Sequence, residues 1–147
     1  MLRTHATIYE LLRQDHEHLT VACARLHPIV DSTDFGRVAS AFLRELRDHE
    51  RVEEEILARP LILRVPDAAI VGSLHRQHDE LADKMIALLQ AEDAERRATA
   101  LNELAALAAS HFRFEHERVF PASSLVFSSN AQQAMAEAFA HERLAVR

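Results

Sequence analysis

The chain has 147 residues, 48% of them apolar, with only 2 Gly and 4 Pro and a formal net charge of −6. This length suits one domain with its own core, and the composition favours helices over turn-rich sheets. An acidic chain without a basic cluster argues against nucleic acid or an anionic membrane as a partner, and no apolar run is long enough for a membrane span.

Long amphipathic segments, separated by proline or turn-forming residues, predict five helices. Their predicted bounds are about residues 7–30, 35–58, 66–90, 94–120 and 129–145. Pro60 and Pro121 are predicted to end the second and fourth helices, because proline removes a helical hydrogen bond and clashes with the preceding turn. Ser129 with Gln132 resembles a capping box that begins the fifth helix.

The order of these helices predicts an all-α fold. Four helices of similar length with short connections predict antiparallel neighbours, in an up-down-up-down four-helix bundle. The bundle would take about residues 7–121 and an additional short C-terminal helix about 129–145, in a single domain of residues 1–147. In the last helix Met135 and Phe139 form an apolar stripe, which either covers the bundle (the preferred interpretation) or forms a dimer contact.

A pattern of histidine and glutamate repeats along the chain after 62 positions. The shift takes His16 to His78, His49 to His111 and Glu53 to Glu115. With a rise of about 1.5 Å per residue, all four histidines fall at one level of the predicted bundle, one from each helix. Histidine and glutamate four residues apart share a helix face, and leucines spaced by seven around His16 place its stripe toward the core.

Four imidazoles and two carboxylates in one buried layer predict a dinuclear metal site. An unpaired buried carboxylate is costly, and two metal ions would satisfy the whole layer. Nitrogen and oxygen donors without thiolate suit iron or manganese, with zinc as a further option. The predicted ligands are His16, His49, Glu53, His78, His111 and Glu115. Each of them taken alone is more typical of a hydrogen-bonded core residue or a surface pair, but the duplicated spacing favours the metal site.

Other polar side chains are weaker candidates for this site. Glu50 could reach a metal, although a solvated helix face is the preferred interpretation. Tyr9 could be a hydrogen-bond donor or a redox-active phenol near the site, and a buried, hydrogen-bonded tyrosine is preferred. His75 could be a fifth imidazole, and a surface or outer-sphere position is preferred. The remaining histidines considered break the repeat and are predicted to lie at the surface, namely His18, His27, His116 and His141.

The segments QDHEHL, RDHERVEEEIL, RQHDEL and HFRFEHERVFP resemble, in order, the ligand segments of the hemerythrin-like family, the HHE cation-binding domains. The resemblance covers about residues 8–121 and implies a four-helix bundle around a non-haem diiron centre, with the six predicted residues as ligands. Oxygen carriers of this family have a further histidine where this chain has Leu74. They also have a histidine followed five residues later by an aspartate, where this chain has His111 followed four residues later by Glu115. The set of four histidines and two glutamates is more similar to the iron-sensing and iron-centre-repair branch.

The expected function is that of a diiron protein that binds, senses or reacts with oxygen, nitric oxide or hydrogen peroxide. The alternatives are an iron-sensing or metal-storage bundle without small-molecule chemistry, and a diiron enzyme that decomposes peroxide; the sequence leaves open whether the protein is an enzyme. The lone Cys23 and an N-terminus without an apolar leader favour the cytoplasm. A redox or effector partner is a further expectation, with the protein a monomer or a dimer.

Overall fold

The computed structural model describes residues 6–145 of the chain, which form helices and turns without a strand. In chain order the elements are α1 Ile8–Ala24, a 3₁₀ turn His27–Ile29, α2 Phe35–Glu53, a first π-turn Glu54–Ala58, α3 Arg59–Ile62, α4 Ala69–Gln90, α5 Ala94–Phe114, a second π-turn Glu115–Val119, α6 Phe120–Val126 and α7 Ser129–Ala145. The all-α prediction is confirmed for these residues. Their helices include none with the length and hydropathy of a membrane span.

The four long helices form a ring in which each contacts two others. α1 packs against α2 and α5, and α4 packs against the same two helices. α7 lies across α1, α2 and the first π-turn, and its Met135 and Phe139 are buried in the core. The preferred interpretation of this apolar stripe, that it covers the bundle, is therefore confirmed.

Several predicted helix ends are wrong by a few residues. α1 begins at a capping box, in which Thr7 Oγ1 accepts a hydrogen bond from the backbone of Glu10, but α1 ends at Ala24 and not at residue 30. The cause is Pro28, which has no backbone N–H for the carbonyl of Ala24 four residues earlier and whose ring would clash with that carbonyl in an α-helix, so a 3₁₀ segment follows instead. α4 begins at Ala69 rather than at residue 66, because the Asp67 carboxylate accepts the backbone N–H of Ala69.

Pro60 and Pro121 do not end their helices, so that prediction is also wrong. Each proline follows a π-turn, in which the backbone N–H of the residue before the proline bonds to the carbonyl five residues back. This wider turn gives the pyrrolidine ring room where a regular helix would clash with it. The helices continue to Ile62 and Val126. Most of residues 121–128, which the predicted bounds leave between the fourth and fifth helices, are therefore helical.

The start of α7 shows a smaller difference. The side chain that caps it is Ser128, whose Oγ accepts the backbone N–H of Ala131, and Gln132 bonds to the backbone of Phe127. The predicted capping box of Ser129 with Gln132 is therefore wrong: the cap lies one residue earlier, and the Gln132 amide donates to the Phe127 carbonyl. The C-terminal helix itself has the predicted bounds.

Buried apolar side chains form two clusters with a polar layer between them. One cluster contains Leu12 and Leu57, and the other contains Leu19 and Leu46. His16 lies between the leucines of its own helix, about one turn from each, and is buried with them. The same alternation on the other long helices positions a buried polar layer inside an otherwise apolar core.

Candidate metal centre

The two predicted His–Glu pairs lie on α2 and at the junction of α5 with the second π-turn. His49 Nε2 is 3.4 Å from Glu53 Oε2, and His111 Nε2 is 2.9 Å from Glu115 Oε1. A separation of four residues puts each pair on one helix face. All four side chains are buried, with at most 1% of each residue exposed.

His16 from α1 and His78 from α4 complete the layer. His16 Nε2 lies 3.1 Å from His49 Nε2 and 3.4 Å from Glu115 Oε1. His78 Nε2 lies 3.3 Å from Glu53 Oε1. The six predicted residues therefore meet in one place, and all four imidazoles present Nε2 to the interior.

These residues divide into two groups that could each hold a metal ion. The members of the first group are His16, His49, Glu53 and Glu115, and those of the second are Glu53, His78 and His111. Within each group the ligand atoms lie within 4.8 Å of one another. Glu53 belongs to both, since its Oε2 faces His49 and its Oε1 faces His78. This carboxylate has the position of a bridge between two ions.

Most polar atoms of the layer lack hydrogen-bond partners among the residues that the structure describes, apart from Nε2 of His16 and Nε2 of His49, which lie 3.1 Å from each other. Both oxygens of Glu53, both oxygens of Glu115 and Nε2 of His78 and of His111 are buried and unpaired. The short distance between His111 Nε2 and Glu115 Oε1 is thus not a hydrogen bond, because the two atoms are misaligned for one. Buried unpaired polar atoms are costly, and neutral imidazole and carboxylate donors aimed at a common point suit metal cations.

On their outer side the imidazoles contact polar groups through Nδ1, and three of the four form a hydrogen bond there. His49 Nδ1 is 3.0 Å from Asp15 Oδ2, and His111 Nδ1 is 2.9 Å from Gln77 Oε1. A hydrogen bond donated by Nδ1 leaves the lone pair on Nε2, the atom that faces the interior. The outer shell therefore prepares the rings as metal ligands.

His16 is held by a hydrogen bond in the same way, whereas the Nδ1 of His78 has only a longer contact with a carboxylate. His16 Nδ1 is 2.8 Å from His116 Nε2, and His78 Nδ1 is 3.5 Å from Glu54 Oε2. His116 was predicted to be a surface residue that breaks the repeat, and this prediction is wrong: it is partly buried and holds a predicted ligand. The other three histidines predicted at the surface, His18, His27 and His141, are exposed.

The outer partners follow the repeat of 62 positions, although none was predicted. The shift takes Asp15 to Gln77 and Glu54 to His116. In each half, the residue before the first histidine contacts the second histidine of that half, and the residue after the glutamate contacts the first histidine of the other half. Extending the repeat by one residue beyond each predicted ligand would have found them.

In the absence of metal, the predicted ligand side chains of the layer differ in pKa. Burial lowers the pKa of His16 to about 2 and that of His111 to about 3, so both rings are neutral. Burial also lowers the pKa of His49, but the hydrogen bond with Asp15 and the nearby carboxylate of Glu53 outweigh it and raise the pKa to about 9. Burial and the charge of Glu53 raise the pKa of Glu115 well above its usual range. Protons thus occupy part of the layer in the absence of metal.

The three weaker candidates have different positions. Tyr9 donates to or accepts from Ser123 Oγ at 2.7 Å, which confirms the preferred interpretation of a hydrogen-bonded tyrosine. His75 is 45% exposed at its side chain and contacts Glu54 at 2.7 Å, in keeping with an outer position. Glu50 is only 9% exposed and its Oε1 has no partner in the described part of the chain, so the interpretation as a solvated face is wrong. Burial raises the pKa of Glu50 to about 7, against the opposing effect of His78.

Comparison with known protein families gives one match. The family model described as Hemerythrin HHE cation binding domain matches residues 7–123, which is most of the chain and includes all six predicted ligands. No curated protein and no solved structure matches the chain. Family and geometry therefore agree that the buried layer of histidine and glutamate fits a metal site.

Proposed function

Since this chain belongs to the hemerythrin HHE cation-binding family, we propose that its buried polar layer holds two non-haem iron ions and that this centre binds, senses or reacts with a small molecule. The proposed ligands are His16, His49, Glu53, His78, His111 and Glu115. Two unpaired carboxylates between two pairs of imidazoles are the observation that carries the proposal. Oxygen, nitric oxide and hydrogen peroxide are the proposed small molecules.

We further propose that residues 1–147 form a single domain with the up-down-up-down bundle topology. The ring of contacts among α1, α2, α4 and α5 supports this topology, as does the short chain between successive helices. The match over residues 7–123 supports one domain, since it spans all four long helices. A cytoplasmic location and a redox or effector partner complete the proposal.

The donor set supports iron as the metal. Four imidazole nitrogens and carboxylate oxygens without thiolate suit iron or manganese, with zinc a poorer choice for redox chemistry. The single Cys23 is buried in the apolar cluster with Leu19 and is not among the metal-binding groups of the described residues. Bound iron would supply open coordination positions and electrons for a small ligand.

The residues of this chain would hold and insulate the centre. The hydrogen-bond partners of Nδ1 in His16, His49 and His111 keep their Nε2 lone pairs directed inward, and the two apolar clusters exclude water from both sides of the layer. Six ligand side chains shared by two ions leave positions for an exogenous ligand. The buried layer is thus suited to a small ligand of a few atoms that binds directly to the metals.

A second function, iron sensing or metal storage, is favoured by the unpaired buried atoms. Without ions the layer costs folding free energy, so the fold itself would respond to metal supply. This function requires no small-molecule chemistry. A peroxide-decomposing enzyme differs from both, because it requires catalytic turnover.

The test is to measure the metals bound by the purified protein and then record optical spectra after reduction with dithionite and after exposure to air, nitric oxide or hydrogen peroxide. We expect about two irons per chain, from the two ligand groups, with near-ultraviolet charge-transfer bands that change with redox state. Reversible change without turnover supports binding or sensing, and peroxide loss over many cycles supports the enzyme. Iron binding without any spectral response to these molecules leaves iron sensing or storage. Protein that takes up no metal contradicts the proposal.

A further inference from the structure

Two grooves reach the buried layer from opposite sides, and the repeat relates them. One groove, of about 730 Å³, lies between α2 and α4, and the other, of about 670 Å³, lies between α1 and α5. The lining residues that the shift of 62 positions pairs include His78 with His16, Glu50 with Phe112, and Glu54 with His116. The grooves therefore have equivalent places in the two halves but different side chains at the floor.

The groove between α1 and α5 is closed by an aromatic ring. Phe112 stacks on His16 with 4.0 Å between ring centroids and 12° between ring planes. His16 is only 3% exposed, and its outward Nδ1 is held by His116. This groove offers a cation no unpaired carboxylate at its floor.

The groove between α2 and α4 has a carboxylate at the equivalent place. Glu50 Oε1 is buried and, among the residues described, has no hydrogen-bond partner. His78 at the same floor is 12% exposed at its side chain, more than the other three predicted histidine ligands. The buried layer is thus most accessible from this side.

A second carboxylate lies farther out in the same groove. Glu54 is 26% exposed at its side chain, its Oε1 contacts His75, and its Oε2 lies 3.5 Å from His78 Nδ1 without a hydrogen bond. Exposure falls from Glu54 to Glu50, at 9%, and to Glu53, at 1%. Three carboxylates on one stretch of helix therefore lead from solvent to the proposed bridge.

We propose that the groove between α2 and α4 is the route by which metal ions reach the centre, with Glu54 and then Glu50 as transient ligands. This inference rests on the proposed function, since it concerns the loading of the same centre. A divalent cation loses its hydration water at a high cost in free energy, and carboxylate oxygens along the path replace that water stepwise. The unpaired Oε1 of Glu50 gives an ion a ligand at the last step before Glu53 and His78.

Arginines on the outer wall act against a cation. Arg44 and Arg47 line the groove, are exposed, and form no ion pair within the described residues, whereas Arg51 is 3.5 Å from Glu55. The positive charges of Arg44 and Arg47 raise the free-energy barrier for a cation at the groove entrance, and the carboxylates lower this barrier deeper in the groove. The route thus predicts opposite effects for substitutions in one groove.

The test is the rate at which metal-free protein takes up Co²⁺, followed by its visible absorption after rapid mixing. We expect Glu54→Gln and Glu50→Gln each to slow uptake by about tenfold, and Arg47→Gln to speed it, as electrostatic steering requires. The number of ions bound at saturation and the final spectrum stay those of the parent. Matched controls are Glu45→Gln, on α2 outside the groove, and Glu117→Gln, in the groove between α1 and α5. Circular dichroism verifies the fold of each variant.

Four results would overturn the route. Uptake at the parental rate in both Glu50→Gln and Glu54→Gln removes any role for these carboxylates. Slower uptake in Glu117→Gln alone assigns the route to the other groove. Fewer ions at saturation in Glu50→Gln makes Glu50 a permanent ligand instead of a transient one. A parent protein that binds no Co²⁺ or iron at all contradicts the metal centre itself, and the route with it.

Discussion

Asp15 precedes a predicted ligand on α1, yet its carboxylate contacts His49 on α2, with 3.0 Å between Oδ2 and Nδ1. Its other oxygen, Oδ1, accepts a hydrogen bond from Arg143 of α7 at 2.9 Å. One partly buried carboxylate therefore joins the last helix to the metal layer. Because the Arg143 guanidinium fixes the carboxylate, the orientation of the His49 ring depends on the helix that covers the bundle.

Replacing Asp15 by alanine should weaken metal binding. The His49 ring would lose the acceptor that keeps its lone pair on Nε2, and partners of this kind are worth about 10–100-fold in metal affinity. Competition with a chromophoric chelator measures the change. Asp83→Ala, at an exposed position on α4, is the control and should bind as the parent does. Equal affinity for parent and Asp15→Ala would show that the ring needs no such support.

Substitution of Glu53 and substitution of His78 should remove different numbers of metal ions from the protein. Glu53→Ala should lose both ions, because each of its oxygens faces a different ligand group. His78→Ala should lose the ion of its own group and keep the other. Elemental analysis of metal per chain distinguishes the two variants, with the exposed His18→Ala as control. Retention of one ion by Glu53→Ala would show that this carboxylate is not a bridge.

Glu115→Gln should stabilise the metal-free protein while it impairs metal binding. Burial and the Glu53 charge raise the pKa of Glu115 well above its usual range, so its ionisation is unfavourable in the fold. Removing one such buried group is worth about 1–3 kcal/mol. Urea unfolding with excess chelator measures the gain, and Glu117→Gln, exposed two residues along, is the control. Loss of stability in chelated Glu115→Gln, with Glu117→Gln unchanged, would contradict an uncompensated layer.

Metal binding should release protons, and affinity should rise with pH. Burial alone would lower the pKa of His49, but the hydrogen bond with Asp15 and the nearby carboxylate of Glu53 raise it from 6.5 to about 9 in the metal-free fold. An ion needs the Nε2 lone pair, so the proton must leave, and this cost fades as the pH rises through about 9. The same raised pKa stabilises the metal-free fold fully below pH 6.5 and ceases to do so above about 9. Calorimetry in two buffers of different ionisation enthalpy measures the release; identical apparent enthalpies at pH 7 would rule it out.

The sequence was sufficient to predict which six residues meet, because it combines two regular spacings. One is the four-residue spacing of histidine and glutamate on a helix, and the other is the repeat after 62 positions. His49 and Glu53 share a face by helix geometry, and the duplicated spacing aligns them with His111 and Glu115 across the core. The burial of Glu50 was not predictable in this way. It follows from the position of α4 beside α2, which covers most of the Glu50 side chain.

The roles of the prolines and of the outer partners depended on local detail that the pattern lacks. Proline removes a hydrogen bond in any helix, but only the hydrogen bonds before Pro60 show that a π-turn accommodates it. His116 has the sequence context of a surface residue, and only the side-chain rotamers bring its Nε2 to His16. Periodicity determines the face on which a side chain lies, and the neighbouring helices determine what it contacts.

The two π-turns lie directly beside the two carboxylates of the layer, at Glu53 and Glu115. Hydrogen bonds of π geometry are rare within helices, and such segments are natural places for local opening in the middle of a long helix. Metal ions bound by Glu53 and Glu115 would connect both π-turns to the same metal centre. Loss of metal would therefore first loosen the helices at these two equivalent points in the middle of the bundle.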